Sequence, residues 1–222
     1  MYNVVMVFTL KKKRDKKLER LYEQIMDEME GFFGFRWDVN RPKVWLVPDR
    51  ETIDSLRGQK TPRWLVGWGG AQAGGVYILD SENFEKESDN SYSPEKWEAL
   101  VKHELVHCFY DVISEQRRPI WLSEGVSTYL SGQNQWKEPI KKFEKLLDCY
   151  ASHDRPAYYE GGFVVELLIE RYGKEKLLEL LKAIKKEKPD ESGFARLFEK
   201  VYGIELSYEK LNDLLDRRED NG

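Results

Sequence analysis

Histidine occurs three times and cysteine twice in 222 residues, and these two scarcities limit the chemistry the chain can carry. Cys108 and Cys149 form no CxxC pair and are too few for a disulfide scaffold. They are expected as buried thiols in a reducing compartment, so the expected location is cytoplasmic. The N-terminal apolar run has its basic cluster after it and no small-residue cleavage site, so no export signal is expected. No apolar run approaches the roughly 18 to 20 residues that a membrane helix needs, so no membrane partner is expected. Positive charge is not in surplus either: 36 basic side chains face 40 acidic ones, a net charge of -4. Nucleic-acid binding would therefore need a local patch. The best candidate, KKKRDKK at residues 11–17, has no aromatics beside it and reads as a solvated turn and helix start. Nucleic acid is not an expected partner.

What is present is a foldable composition, 41% hydrophobic and 13% aromatic, long enough to bury a substantial core in water. Its character changes near residue 92. Before that point, β-branched and aromatic runs at residues 2–10 and 43–47 predict strands, and residues 64–79 predict one or two more, broken by glycines. Between the first two, Leu18, Leu21, Tyr22, Ile25, Met26, Met29 and Phe32 recur at the helical period, closed by Gly31 or Gly34.

After residue 92 the strand signals fade and helix punctuation takes over. Ser93-Pro94 gives an N-cap and a first-turn proline for a helix running to about residue 114. Further helices are expected over 121–130, 139–150 and 157–172, the last capped by Gly173, with two or three more to about residue 216. Strands followed by helices predict an α+β fold, a sheet-rich part over 1–92 packed on a helical part over 93–216. No low-complexity linker divides them, so one domain over 1–222 is expected.

The informative segment is His103-Glu104-Leu105-Val106-His107. Histidines four apart on a helix share a face, so both imidazoles can reach one metal ion. Glu104 lies about 100° around from His103, beside the metal, where it can take a proton from an activated water. Trp97, Leu100, Val101, Leu105, Phe109 and Val112 give the same helix a core face. A catalytic zinc takes three protein ligands and leaves one position open. Glu124, in Trp121-Leu122-Ser123-Glu124-Gly125, can supply the third if the chain turns at Arg117-Arg118-Pro119 and a second helix returns antiparallel.

HExxH followed by WLxEG resembles the gluzincins, zinc peptidases, and more closely their peptidase-MA-like and minigluzincin members, over roughly residues 64–205. The resemblance implies a zincin-like fold, His103, His107 and Glu124 as zinc ligands and Glu104 as general base, with a connection somewhat shorter than in the gluzincin aminopeptidases. Tyr159-Glu160-Gly161-Gly162 resembles the family's YEKG segment, whose tyrosine donates to the developing oxyanion. Tyr159 is the expected donor, with Tyr158 beside it as the alternative. The family's GxMEN strand would fall at Gly70-Ala71-Gln72-Ala73-Gly74, where Ala73 replaces the amine-binding glutamate. That loss favours an endopeptidase over an exopeptidase. The glycine-rich segment is read either as an edge strand that pairs with an extended peptide or as a tight turn.

The expected function is thus a zinc-dependent peptidase acting on a peptide or protein laid along an edge strand. A latent or non-catalytic zincin module acting in protein interaction is the alternative. Thr128 and Asp111, one turn after Glu124 and His107, are candidate hydrogen-bond supports for the ligands. His153 is an auxiliary proton donor or an ordinary loop histidine, and Cys108 is buried packing.

Overall fold

A computed structural model describes residues 8, 9 and 11–219. The strand expected over residues 2–10 falls almost entirely outside them. Among the described residues the chain is α+β and mostly helical, with a small mixed sheet. Helix α1 (Lys16–Phe33) starts where the Asp15 carboxylate accepts from the Lys17 and Leu18 amides, and ends at Gly34 in the left-handed region, φ 74°. The basic cluster at residues 11–17 is exposed or half-buried ahead of and into this first turn, and Lys13 pairs with Asp80 and Glu82.

Strands β1 (Lys43–Val47), β2 (Gly67–Gly70) and β3 (Gly75–Leu79) form one sheet in the order β1-β3-β2. β1 runs parallel and β2 antiparallel to the central strand. Trp45, Tyr77 and Trp68 are in register across one face, while Val76 and Ile78 are fully buried on the other. This alternation is the period-2 pattern of a sheet with one face in the core. Between β1 and β2, helix α2 (Arg50–Arg57) is capped by Asp49, which accepts from the Thr52 amide, and closes at Gly58. A short α3 (Phe84–Glu87) follows β3.

Helix α4 (Pro94–Ser114) is the axis of the molecule. Ser93 caps it through the Lys96 amide and Pro94 opens it, as the sequence predicts. It is buried nearly all round, with the sheet on one side, α1 beside it and helix α7 (Lys174–Glu187) behind. Helix α5 (Ile120–Leu130) and helix α6 (Arg155–Tyr172) pack closely on each other. Gly125 and Gly161 face each other where they cross, and a Cβ on either would strike the other helix's backbone. Helices α8 (Glu191–Tyr202) and α9 (Tyr208–Glu219) complete the fold. Buried side chains from both halves belong to one continuous apolar core.

The helix expected over residues 139–150 does not form; a single 3-10 turn at Leu146–Asp148 stands in its place. Tertiary partners take the backbone groups that a helix would need. The Glu160 carboxylate accepts from the amides of Glu144, Lys145 and Leu146. The Asn212 amide pairs with both the N–H and the C=O of Phe143. No described helix is long and apolar enough to cross a membrane. Cys108 and Cys149 are both buried free thiols.

Candidate metal centre

α4 presents His103 and His107 one turn apart, and α5 returns to place Glu124 against them; all three are buried. His103 Nε2 lies 3.2 Å from His107 Nε2 and 3.2 Å from Glu124 Oε2. The remaining edge, His107 Nε2 to Glu124 Oε2, is 3.4 Å. Ligands held tetrahedrally at 2.0–2.1 Å from one ion are separated by about 3.3 Å. The near-equilateral triangle therefore fits the donor set of a small divalent metal, and three lone-pair donors this close need a cation or a shared proton between them.

The charges respond to this crowding. Burial alone would raise the Glu124 carboxyl, yet attraction to His107 and hydrogen bonds from both histidines hold it well below its usual range. Burial alone would lower the His107 imidazole, and Glu124 more than reverses this. His107 is also oriented from behind, since its Nδ1 meets Ser127 Oγ at 3.1 Å and Ser123 Oγ at 3.3 Å. Such support fixes which ring nitrogen would face an ion.

Those serines correct the expected pair of supports. Thr128 sits where its methyl abuts Gly162. Asp111 binds Arg117 in a two-oxygen ion pair, 2.8 Å on each side, and accepts from the Ala71 amide. Asp111 thus ties α4 to the sheet and not to a ligand. The sequence did carry a signal for the serines: positions 123 and 127 flank Glu124 at -1 and +3, on the same helical face.

Glu104 lies beside the triad and is buried, and its carboxylate has no hydrogen-bond partner among the described residues. Burial raises its pKa, and His103 and His107 offset this only in part. It packs over Gly67 of β2, where an added Cβ would lie 2.7 Å from Glu104 Oε1. The triad and Glu104 open into a cleft of about 760 Å³, walled by β2 and the segment before it, by α4, by the turn at Gln133–Trp136, and by His153 and Tyr158.

Of the two tyrosines, Tyr158 reaches this cleft and Tyr159 does not. The Tyr159 hydroxyl donates to the Glu138 carbonyl at 2.8 Å, because consecutive helical residues point about 100° apart. The Tyr158 hydroxyl meets His153 Nδ1 at 3.1 Å, and the same nitrogen lies 3.5 Å from Glu124 Oε1. Burial first, then the charges of Glu124 and Glu104, raise the Tyr158 phenol, so it stays protonated. His153 is accordingly a cleft residue on a loop. The glycine-rich edge strand is Gly67–Gly70, and Ala71–Ala73 is a 3-10 turn into β3. The segment compared with the aminopeptidase strand is mostly that turn. Among the described residues the cleft nevertheless has no carboxylate other than Glu104 and Glu124, so none of them offers a further acidic side chain to hold a substrate amine.

No protein-family model matches this chain, and no curated protein matches it either.

Proposed function

We propose that this chain is a zinc-dependent peptidase of the gluzincin type, built on a zincin-like fold and cleaving within extended peptides. The observation that carries the reading is the His103–His107–Glu124 triangle with an unpartnered Glu104 carboxylate beside it, all opening on one cleft. Two imidazoles and a carboxylate with a position left open are the ligand set of a hydrolytic zinc. When bound, zinc supplies Lewis acidity, polarising a carbonyl and lowering the pKa of water to near 7.

The remaining work belongs to side chains. Glu104, its pKa raised by burial, takes a proton from the attacking water and passes it to the leaving amine. Tyr158 donates a hydrogen bond to the oxygen on which charge develops, and His153 holds the phenol in place. β2 offers a backbone edge for the peptide. Val66 C=O accepts from Leu79 N–H, so by antiparallel alternation the polar groups of Gly67 and Gly69 point away from β3. Arg117 caps the Gly69 carbonyl, which leaves Gly67 N–H and C=O and Gly69 N–H to pair with an extended substrate. The cleft's openness also supports turnover over latency, because no residue of α7, α8 or α9 lines it.

Glu104→Gln is expected to keep stoichiometric zinc and to lose hydrolysis of unstructured protein substrates by at least about a thousandfold. Metal analysis beside a protease assay decides this, and unchanged turnover would remove Glu104 from its role.

A further inference from the structure

The cleft is basic in an acidic protein. Among the described residues its only carboxylates are Glu104 and Glu124, and both belong to the metal site proposed above. Against them stand Arg57, Lys96, Arg117 and Lys137. Arg117 is neutralised by Asp111. The other three have no ion pair among the described residues. Arg57 lies over the Trp68 ring of β2, 5.9 Å from its centroid, and Lys96 is exposed at the rim on the first turns of α4. Lys137 is the informative one. Its ammonium is half-buried in the wall, and its one hydrogen bond, 2.6 Å, goes to the Tyr158 carbonyl. Loss of water around it pushes its pKa down to about 8, only partly countered by Glu124.

An ammonium withdrawn from water without a carboxylate partner is a standing cost that an incoming anion relieves. Arg57 and Lys137 both line the cleft that a peptide on the edge strand would enter. We propose that the cleft selects acidic peptides, with Lys137 pairing with an Asp or Glu side chain next to the bond presented to the metal triad, and Arg57 and Lys96 steering such segments in. This rests on the peptidase reading for treating the occupant as a peptide, but its consequence is one of binding.

The test uses three fluorescein-labelled peptides of one flexible sequence, differing only in whether Asp, Asn or Lys flanks the central dipeptide on both sides. Their affinities for the zinc-loaded Glu104→Gln protein are read by fluorescence anisotropy. The Asp peptide is expected to bind at least about tenfold tighter than the Lys peptide at low salt, with the gap shrinking at 0.5 M salt. Lys137→Glu should abolish or invert the order. Lys96→Glu, an exposed change that leaves the core untouched, should reduce it a few-fold, and it decides the matter if the Lys137 variant fails to fold. Equal affinities for the three peptides, or no binding of any, would overturn the proposal. So would an Asp preference that survives both substitutions. Acidic peptides that bind selectively but are never cleaved by the unsubstituted protein would leave the selectivity standing and sink the peptidase reading, whereas cleavage with no charge preference would do the reverse.

Discussion

At the scale of single residues, the site depends as much on a missing side chain as on those present. Gly67 has no special backbone requirement, since its φ is not among the positive ones. What it provides is room: a Cβ there would sit 2.7 Å from Glu104 Oε1 and 2.9 Å from its Cγ. Gly67→Ala therefore displaces the Glu104 carboxylate, the proposed general base, while leaving His103, His107 and Glu124 alone. The expected outcome is full zinc content with hydrolysis reduced roughly ten- to a hundredfold, because ångström-scale misplacement of a reacting group costs about that much. Metal analysis and kcat/KM on the same preparation check it, and a variant as active as the parent would show that Glu104 is not held where it acts. The serines behind His107 and the Tyr158–His153 pair follow the same logic. Each is a small polar contact that sets an orientation, and none forms part of the HExxH pattern.

The elements bring those residues together through one crossing. Glu124 comes from α5 and Tyr158 from α6, and these helices meet backbone to backbone at Gly125 and Gly161. A Cβ on Gly161 would approach the Trp121 carbonyl to 2.6 Å, so this contact has no slack to absorb it. Gly125→Ala is expected to force the helices apart at a cost of about 1–3 kcal/mol. In a chain of this length that corresponds to a melting temperature lower by roughly 3–10 °C. The same shift moves Glu124 relative to the histidine pair, so zinc affinity should fall about tenfold or more. A thermal melt and a chelator competition read the two effects separately. Loss of stability with unaltered zinc affinity would mean that the crossing supports the fold but does not place the ligand. The glycines of the WLSEG and YEGG segments are thereby explained by packing, and Glu160 of the second segment by its three backbone amide bonds to the 144–146 turn.

For the whole molecule, the triad joins the central α4 to α5, so an ion bound there would act on global stability. Anything that binds the folded chain alone stabilises it by mass action, about 2.7 kcal/mol at a hundredfold excess over Kd. Stripping the metal with a chelator is thus expected to lower the melting temperature by roughly 5–10 °C. The shift should be absent in His103→Ala, measured by circular dichroism under the same conditions. An unsubstituted protein whose melting temperature ignores both zinc and chelator would show that the triad takes no ion.

Much of this was legible from local pattern. The caps at Ser93-Pro94 and Gly173, the period of α1, the α+β order of elements and the HExxH pair are all set by neighbours within a turn or two, where propensity and spacing act directly. Even Glu124 could be named from its segment, because a short connection limits where the next helix returns. α2 carried readable signals in Asp49 and Gly58 that the periodicity of its eight residues was too short to reinforce. The remaining features depend on partners far along the chain. Residues 139–150 have helical composition but are held open by Glu160 and Asn212. Tyr158 faces the cleft in place of Tyr159 because of the side that α6 turns to α5 when the two pack, and Ser123 and Ser127 matter only because His107 arrives in front of them. The basic lining of the cleft collects Arg57 from α2, Lys96 from α4 and Lys137 from the bend after the Gln133–Trp136 turn. Spacing within a helix dictates which groups share a face, but which faces meet is decided by the packing of the core.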